Sequence, residues 1–353
     1  MSYKSYKKSL ATSMKKIQYI LIILGFCLIS CKQEKPQIET NENTISVSID
    51  DRVELFRVAY FLALEDSIDV NLRPCKTNFY KTNFEPYKKY RNHPLVQKIG
   101  NGDIWKADLP ALALCLDKNL KPKDSLNINE LSEQYGWYAK NLDSLSYLLT
   151  DFKKTIGFKN NYNVDFTLFI DSLKSNKITQ KLNEFYRTDK KTNLKILFDP
   201  LNRITSKAIT FANNPKNERT FIIEYLCDEP NDTFKQLTLN WNDTYRRIVI
   251  HENSHIYTDK LYKKYYDKEL DSLINQEKFK EQFNDIDEII VRGITAKILE
   301  LNYGSKVGEY EINHQPKNSR IVYDYLNKYL MTEKMEFEQA YKEIIEQLKK
   351  KYL

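Results

Sequence analysis

The chain has 353 residues, of which 41% are apolar and 29% charged, as in globular proteins and unlike disordered or multi-spanning ones. Its formal net charge is +7, but residues 1–30 contain five lysines and no acidic residue. Removing those five from the 55 basic residues leaves 50 against 48 acidic ones, so no basic stripe predicts a nucleic-acid partner.

The amino terminus has the pattern of an export signal. Two lysines precede the apolar run 20–29, which is too short for an ordinary transmembrane helix but suits a signal peptide. The run ends in Leu28-Ile29-Ser30-Cys31, which resembles the lipobox of bacterial lipoproteins, whose cysteine is acylated. We therefore expect a signal peptide over 1–30, a lipid anchor on Cys31 and a polar tether over 31–50. A plain signal peptide with a chance cysteine is the alternative.

The next part of the chain predicts a helical N-terminal portion over 51–156. Glycine is scarce, with 8 in the whole chain, and apolar residues recur at helical spacing. The predicted helices cover 53–64, 79–99, 108–116 and 129–156, the last as one helix or two. His93-Pro94 interrupts the second segment, because a residue before proline is pushed out of the helical region.

Residues 157–353 combine a small sheet with further helices. A helix near 178–186 is followed by β-like runs at 194–198, 208–211, 221–226 and 237–241. Asn242-Asp243-Thr244 then supplies capping chemistry for a helix through residue 251, and later helices are predicted at 285–301, 319–330 and 336–351. A small sheet followed directly by a helix that carries His251 and His255 resembles the core of zincin-type proteins, so we expect a helix-rich α+β fold with a zincin-like core.

Three cysteines lie beyond the tether: Cys75, Cys115 and Cys227. Their spacing fits no zinc ribbon or thioredoxin motif. One disulfide with one cysteine left over and three buried free thiols both remain open.

The segment His251-Glu252-Asn253-Ser254-His255 carries the clearest chemical signal, in a chain with only four histidines. Two histidines four apart on a helix project from one face, so both imidazoles reach a single ion. The glutamate after the first histidine lies beside that face, where it acts as a base on a metal-bound water. We predict His251 and His255 as zinc ligands and Glu252 as the catalytic base. Two incidental histidines on a surface helix are the alternative, and other divalent ions also suit such ligands.

A catalytic zinc needs a third protein ligand and an open position. A metzincin would have glycine at 258 and histidine at 261, but Thr258 and Leu261 occupy these positions. The remaining choice is a carboxylate on a later helix.

The apolar segment 285–296 offers that carboxylate. An acidic side chain in so apolar a helix demands a partner. Glu288 is the first choice, with Arg292 one turn on as its neighbour, and Asp285 is the reserve. A purely structural Glu288–Arg292 ion pair is the alternative.

These residues carry a resemblance. The histidine motif, followed 33 positions after His255 by Glu288, resembles the gluzincin type of metallopeptidase. Residues 90–96 and 288–296 also resemble a family of uncharacterised bacterial envelope proteins, common in Bacteroidota and described mainly as a domain of unknown function. The similarity runs from about Arg52 to the end. It implies a zinc peptidase acting on a peptide or protein, tethered to the envelope, with the outer membrane as the expected location.

In gluzincins an aspartate usually follows the third ligand by four residues and orients a zinc histidine. Arg292 stands at that position here, so the resemblance implies a different arrangement around the ligands. Asp259 and Asp287 are the candidates to orient a histidine.

The expected mechanism uses zinc held by His251, His255 and Glu288. Glu252 takes a proton from the bound water, the hydroxide attacks a carbonyl, and Glu252 then protonates the leaving amine. The oxyanion needs a further donor. On sequence order, Arg292 is assigned to the catalytic set, and the other candidates are Tyr310, His314 and Tyr323.

Two further features have both structural and functional interpretations. The run 237–241 is a possible edge strand to which a peptide adds as another strand. His93 is either a structural histidine at a helix boundary or part of a closing cleft.

Two other functions remain open from the sequence. A non-catalytic envelope lipoprotein could keep a structural or vestigial zinc and bind a partner or glycan, although such a protein has no need of Glu252. A zinc amidase acting on something other than protein would share the same motif.

Overall fold

The computed structural model describes residues 44–352 except 70–71, 103–105, 125, 127, 160–161, 163, 189–191, 211–217, 228–235 and 277–284. The expected signal peptide, the lipobox cysteine Cys31 and most of the tether lie outside these described residues. The described residues belong to one compact unit. Within them, no helix is both long and apolar enough to cross a membrane.

A four-stranded mixed sheet lies within this unit. Its strands are β1 (Ile45–Ser48), β2 (Asn193–Asp199), β3 (Lys207–Ala208) and β4 (Glu218–Glu224). The order is β1-β2-β4-β3. The first three strands of that order run parallel, and β3 is the antiparallel edge strand.

The sheet corrects three sequence-based predictions. β1 lies inside the predicted tether 31–50. The sequence pattern did not predict this strand, because its four residues bury one apolar side chain, Val47, beside a long polar stretch. The predicted strand 208–211 reduces to the two-residue β3. The run 237–241 is not a strand: Leu237 and Leu239 are buried alternately, which gives a strand-like pattern without backbone pairing. The strands predicted at 194–198 and 221–226 are confirmed.

Short helices make up the N-terminal portion. They are α1 (Asp51–Leu64), α2 (Asn78–Asn83), a 3-10 helix (Glu85–Tyr90), α3 (Pro94–Gly100), a 3-10 helix (Leu109–Cys115), α4 (Ile128–Tyr135), α5 (Trp137–Lys140) and α6 (Leu142–Ile156). The long helix predicted over 79–99 is broken, because Pro86 starts a 3-10 turn and Pro94 starts a new helix. The helix predicted over 108–116 is a 3-10 helix, and 129–156 divides into three helices at Gly136 and Asn141.

The rest of the described chain contains the two longest helices, of 23 and 18 residues, among shorter ones. The helices of this part are α7 (Thr167–Ser175), α8 (Ile178–Phe185), α9 (Asp243–Tyr265), α10 (Lys268–Gln276), α11 (Ile286–Tyr303), α12 (Ser305–Asn313), α13 (Lys317–Met331) and α14 (Phe337–Tyr352). The predicted start of α9 is confirmed, since the Asn242 side chain accepts a hydrogen bond from the backbone N–H of Tyr245 at 2.9 Å. The helices α7, α10 and α12 were not predicted.

Both portions of the chain cover the sheet. Leu197 and Ile222 point to one face and cluster with Val53 of α1 and with Ala111 and Leu114 of the second 3-10 helix. The neighbouring strand residues point to the opposite face and join the main core, which includes residues of α9 and α11. A sheet buried on both faces accounts for the nearly continuous apolar character of β2 and β4.

A disulfide joins the two portions. Cys75, just before α2, is bonded to Cys227, just after β4, with 6.2 Å between their Cα atoms. Cys115 is buried and free. The structure therefore selects one disulfide with one cysteine left over, from the two arrangements that the spacing left open.

Removing this disulfide is expected to destabilise the fold. The two cysteines are 152 residues apart in sequence, so the bond restricts a large part of the unfolded chain. The double variant Cys75→Ser/Cys227→Ser should lose about 2–5 kcal/mol of unfolding free energy. Urea unfolding with and without a phosphine reductant measures this loss. The reductant should destabilise the wild type but not the double variant, and an equal response of both proteins would contradict the assignment.

A buried charge cluster connects α1 to the end of β2. Arg57 and Asp199 form an ion pair with an Nη2–Oδ2 distance of 2.8 Å and side chains only 1% exposed. Glu54 is also buried, and neither of its carboxylate oxygens has a hydrogen-bond partner among the described residues. Burial and the nearby Asp199 carboxylate raise the pKa of Glu54 well above its usual value. The folded protein therefore favours the neutral acid at this position.

The Glu54→Gln variant tests this cluster. The stability that neutral Glu54 contributes is fully present below its unfolded pKa of about 4.5 and is lost as the pH rises through the raised folded pKa. Glutamine stays neutral, so at pH 8 the variant should be more stable than the wild type by about 1–3 kcal/mol. Urea unfolding at pH 5 and pH 8 measures the difference. The exposed control Glu333→Gln should follow the wild type, and equal pH dependence in Glu54→Gln would refute the idea.

Candidate active site

The two motif histidines lie on one face of α9. Their Nε2 atoms are 3.1 Å apart, and their rings meet nearly at right angles, with centroids separated by 4.7 Å. Val249, Ile250 and Asn253 on the opposite face are buried in the core. Because that face is fixed by packing, the two imidazoles are held toward the outside of the helix.

Glu288 joins the histidines from the first turn of α11. Its Oε1 lies 3.6 Å from Nε2 of His251, and its Oε2 lies 3.3 Å from Nε2 of His255. Ligand atoms of the three residues all lie within 4.8 Å of one another. The structure thus brings together the three ligands selected from the sequence.

The spacing of the three side chains fits zinc. Two ligands bound tetrahedrally at about 2.0–2.1 Å lie about 3.3 Å from each other. The two Nε2 atoms are 3.1 Å apart, and the carboxylate of Glu288 approaches them with one oxygen each, at 3.3 Å from His255 and 3.6 Å from His251, all close to that value. Two imidazoles and one carboxylate are also a donor set that zinc accepts with a position left open for a substrate or water.

Asp287 orients one of the histidines. Its Oδ2 lies 2.7 Å from Nδ1 of His255, which directs the Nε2 atom of that ring toward Glu288. Burial lowers the pKa of His255, but the carboxylates of Asp287 and Glu288 outweigh it and hold the pKa well above its usual value. This cluster of carboxylates therefore favours a cation at the position that the imidazoles face.

Arg292 contacts the third ligand. Its Nε donates to Glu288 Oε1 at 2.7 Å, and its Nη1 donates to Oε1 of Gln315 at 2.6 Å. Burial raises the pKa of Glu288, yet the imidazoles of His251 and His255 and the Arg292 guanidinium hold it well below its usual value. The imidazoles therefore do most to keep Glu288 ionised, and the Arg292 hydrogen bond fixes the direction of its carboxylate.

Two acidic residues considered from the sequence have other partners. Asp285 is the N-cap of α11, where its Oδ1 accepts from the backbone N–H of Glu288 at 2.7 Å, and it is not one of the three clustered ligands. Asp259 forms a 3.1 Å ion pair with Lys263 one turn along α9. Asp287, and not Asp259, is therefore the residue that contacts a motif histidine.

The three clustered side chains open into a cavity of about 670 Å³. Glu252 lines the same cavity and is only 7% exposed. Residues 204–208, which include β3, form another wall. Glu252, the three clustered side chains and the edge strand β3 therefore line one cavity.

The remaining proposed oxyanion donors lie elsewhere. Tyr310, His314 and Tyr323 are not among the residues that line the cavity. Tyr310 and His314 are exposed and contact each other, whereas Tyr323 is buried against the ammonium group of Lys297. Their order in the sequence suggested a position beside the motif histidines. The fold of α12 and α13 places all three outside the cavity instead.

Several cavity residues were not found from the sequence. They are Asp108, Gln134, Lys207, Glu224, Arg247 and Tyr262. Arg247 and Tyr262 lie one turn before His251 and two turns after His255, so helical spacing alone contained the signal for these two. Asp108 comes from the N-terminal portion and is 3.2 Å from Lys207 beside it, a contact that no local pattern indicates.

His93 has a structural role away from this cavity. Its Nδ1 accepts the backbone N–H of Leu95 at 3.1 Å, which caps α3, and its Nε2 lies 3.1 Å from Asp151. Its ring also packs on Phe152. The interpretation as a structural histidine at a helix boundary accounts for all of these contacts.

Comparison of the chain with protein-family models, with curated proteins and with solved structures found no match.

The Asp287→Asn variant tests the orienting contact. Loss of the carboxylate should weaken zinc affinity about 10- to 100-fold, because Nδ1 of His255 loses its charged partner. Competition with a zinc-sensitive chelating dye measures the affinity. Asp259→Asn is the matched control, since Asp259 lines the same cavity but pairs with Lys263. Equal affinities of the two variants would contradict the role of Asp287.

Proposed function

We propose that the protein is a zinc-dependent peptidase. The observation that carries the proposal is the convergence of His251, His255 and Glu288 beside Glu252 in one cavity. A structural metal site requires four protein ligands, whereas these three leave a position open. The buried glutamate next to the first ligand has no evident purpose in a purely structural site.

The fold is compatible with a zincin-like core. A small mixed sheet is followed directly by α9, which carries the two histidines, and the third ligand comes from the later helix α11. The sequence predicted this order of elements, which is the order expected of a zinc-peptidase core. The helix-rich α+β architecture supports the proposal without identifying a family.

Each residue of the site has a defined task in this proposal. His251, His255 and Glu288 would hold zinc, which when bound polarises a carbonyl and lowers the pKa of a water at the site. Glu252 accepts the proton of the attacking water and delivers it to the departing amine. Asp287 and Arg292 act as positioning residues for His255 and Glu288.

The sheet edge offers a place for an extended peptide. β3 is the edge strand, paired with β4, and residues 204–208, which include β3, line the cavity. An extended substrate can add to such an edge through main-chain hydrogen bonds. This replaces the sequence-based suggestion that the run 237–241 provides the edge.

The protein is proposed to act outside the cytoplasm as a lipoprotein. The lipobox-like Leu28-Ile29-Ser30-Cys31 suggests an acylated anchor on a bacterial membrane. The Cys75–Cys227 disulfide is typical of proteins exposed to an oxidising compartment.

Zinc content and peptide hydrolysis test the proposal together. The wild type is expected to carry about one zinc per chain, and His255→Ala and Glu288→Ala to lose it. Glu252→Gln should retain zinc while kcat falls about 10²- to 10⁴-fold, because only proton transfer is removed. Metal analysis and a mixed peptide library assayed by mass spectrometry measure both quantities.

His314→Ala is the matched control, because this exposed histidine does not line the cavity. It should keep both zinc and activity. A wild type that binds no zinc on titration would refute the proposal. Zinc binding without hydrolysis of any peptide would favour a binding protein or an amidase instead.

A further inference from the structure

Glu224 provides a second carboxylate within the cavity. It is the last residue of β4, two positions beyond the pairing of Ile222 with Lys207. Its side chain lines the cavity together with Glu252 and His251. The hydroxyl of Ser206 donates to Oε2 of Glu224 at 2.5 Å, which fixes the direction of the carboxylate.

This carboxylate lacks a positive partner. Among the residues that the structure describes, no lysine or arginine forms an ion pair with Glu224. Four other cavity acids have a basic partner: Asp108 with Lys207, Asp259 with Lys263, Asp287 with His255 and Glu288 with Arg292. Asp285 also lines the cavity, but its carboxylate is used as the N-cap of α11. Arg247 interacts with Glu224 only from a greater distance, because its guanidinium is directed to Glu311.

An uncompensated carboxylate in a partly enclosed cavity is costly to bury. Burial, opposed by the Ser206 hydrogen bond, and the nearby Glu252 carboxylate raise the pKa of Glu224 to about 6. A cationic group of the substrate would remove this cost by supplying the missing charge. The cavity is therefore suited to a ligand that carries a positive charge near the position of Glu252.

In a peptide the α-ammonium group of the first residue is the cation nearest to a scissile carbonyl. Its nitrogen is separated from that carbonyl carbon by a single Cα, about 2.5 Å away. We propose that Glu224 binds the α-ammonium group of the substrate, so that the protein removes amino-terminal residues as an aminopeptidase. This inference rests on the proposed peptidase function and names its substrate class.

Matched peptides test the inference with the zinc-loaded full-length protein. One series has a free amino terminus, a second is N-acetylated, and a third is N-acetylated with an internal lysine beside the bond tested. The wild type is expected to cleave the free series at least 10-fold faster than either acetylated series. Glu224→Gln should raise KM for the free series about 10- to 100-fold, the usual effect of losing a charged hydrogen bond.

Two further variants separate recognition from folding. Glu224→Asp keeps the charge and should recover part of the lost affinity. Glu218→Gln, on the same strand but outside the cavity, should leave KM unchanged. Calorimetric binding of the free and acetylated peptides to Glu252→Gln, with and without Glu224→Gln, gives a readout independent of turnover.

The outcomes distinguish this inference from the proposed function. Cleavage of free and acetylated peptides at equal rates would overturn the aminopeptidase assignment and leave the peptidase intact. Preference for the series with internal lysine would assign Glu224 to a side-chain ammonium and would also overturn it. If no peptide is cleaved and Glu252→Gln binds none, both proposals fail.

Discussion

The site depends on the packing of α9 against the first turn of α11. Asp285 caps α11, and the two following acidic residues, Asp287 and Glu288, lie in its first turn, where the helix dipole favours negative charge. Both reach the imidazoles of α9. One helix terminus therefore supplies a candidate metal ligand, Glu288, and the residue that contacts a candidate histidine ligand, Asp287.

The core prevents α11 from rotating away from this arrangement. Ile286, Ile289 and Ile290 in the same turns are buried, so a rotation would expose them and drive the carboxylates into apolar surroundings. Farther along, Gly293 allows a close approach to α13: a Cβ there would lie 2.6 Å from the Val322 Cβ. The geometry of the site is thus set by packing more than by the charges themselves.

Six acidic residues of the cavity divide into three groups by their partners. Glu288 and Asp287 are held in place by the imidazoles and Arg292. Asp108 and Asp259 have lysine partners and line the walls. Among the residues that the structure describes, Glu252 and Glu224 have no such cationic partner, which is why they carry the proposed roles in proton transfer and recognition.

The N-terminal portion is part of this arrangement and not a separate support. β1 adds a strand to the sheet, the Arg57–Asp199 pair joins α1 to the end of β2, and Asp108 reaches the cavity beside Lys207. These contacts link residues far apart in the chain. A local sequence pattern does not register contacts of this kind. The pattern therefore divided the chain at about residue 156, where α6 ends before Gly157.

The sequence by itself determined where the helix α9 begins and which residues are the candidate metal ligands. Helical periodicity and the cap at Asn242 predicted α9, and the motif spacing placed His251, Glu252 and His255 on it, because these signals lie within a few turns of one helix. Glu288 was predicted because it is an acidic residue in an apolar helix.

Only the tertiary structure decided that Asp287 orients His255, that Arg292 holds Glu288, and that Glu224 enters the cavity. It also decided that β3 and not the run 237–241 forms the edge, and that Cys75 pairs with Cys227. Those outcomes depend on which distant segments meet in the core, and local patterns do not encode such contacts.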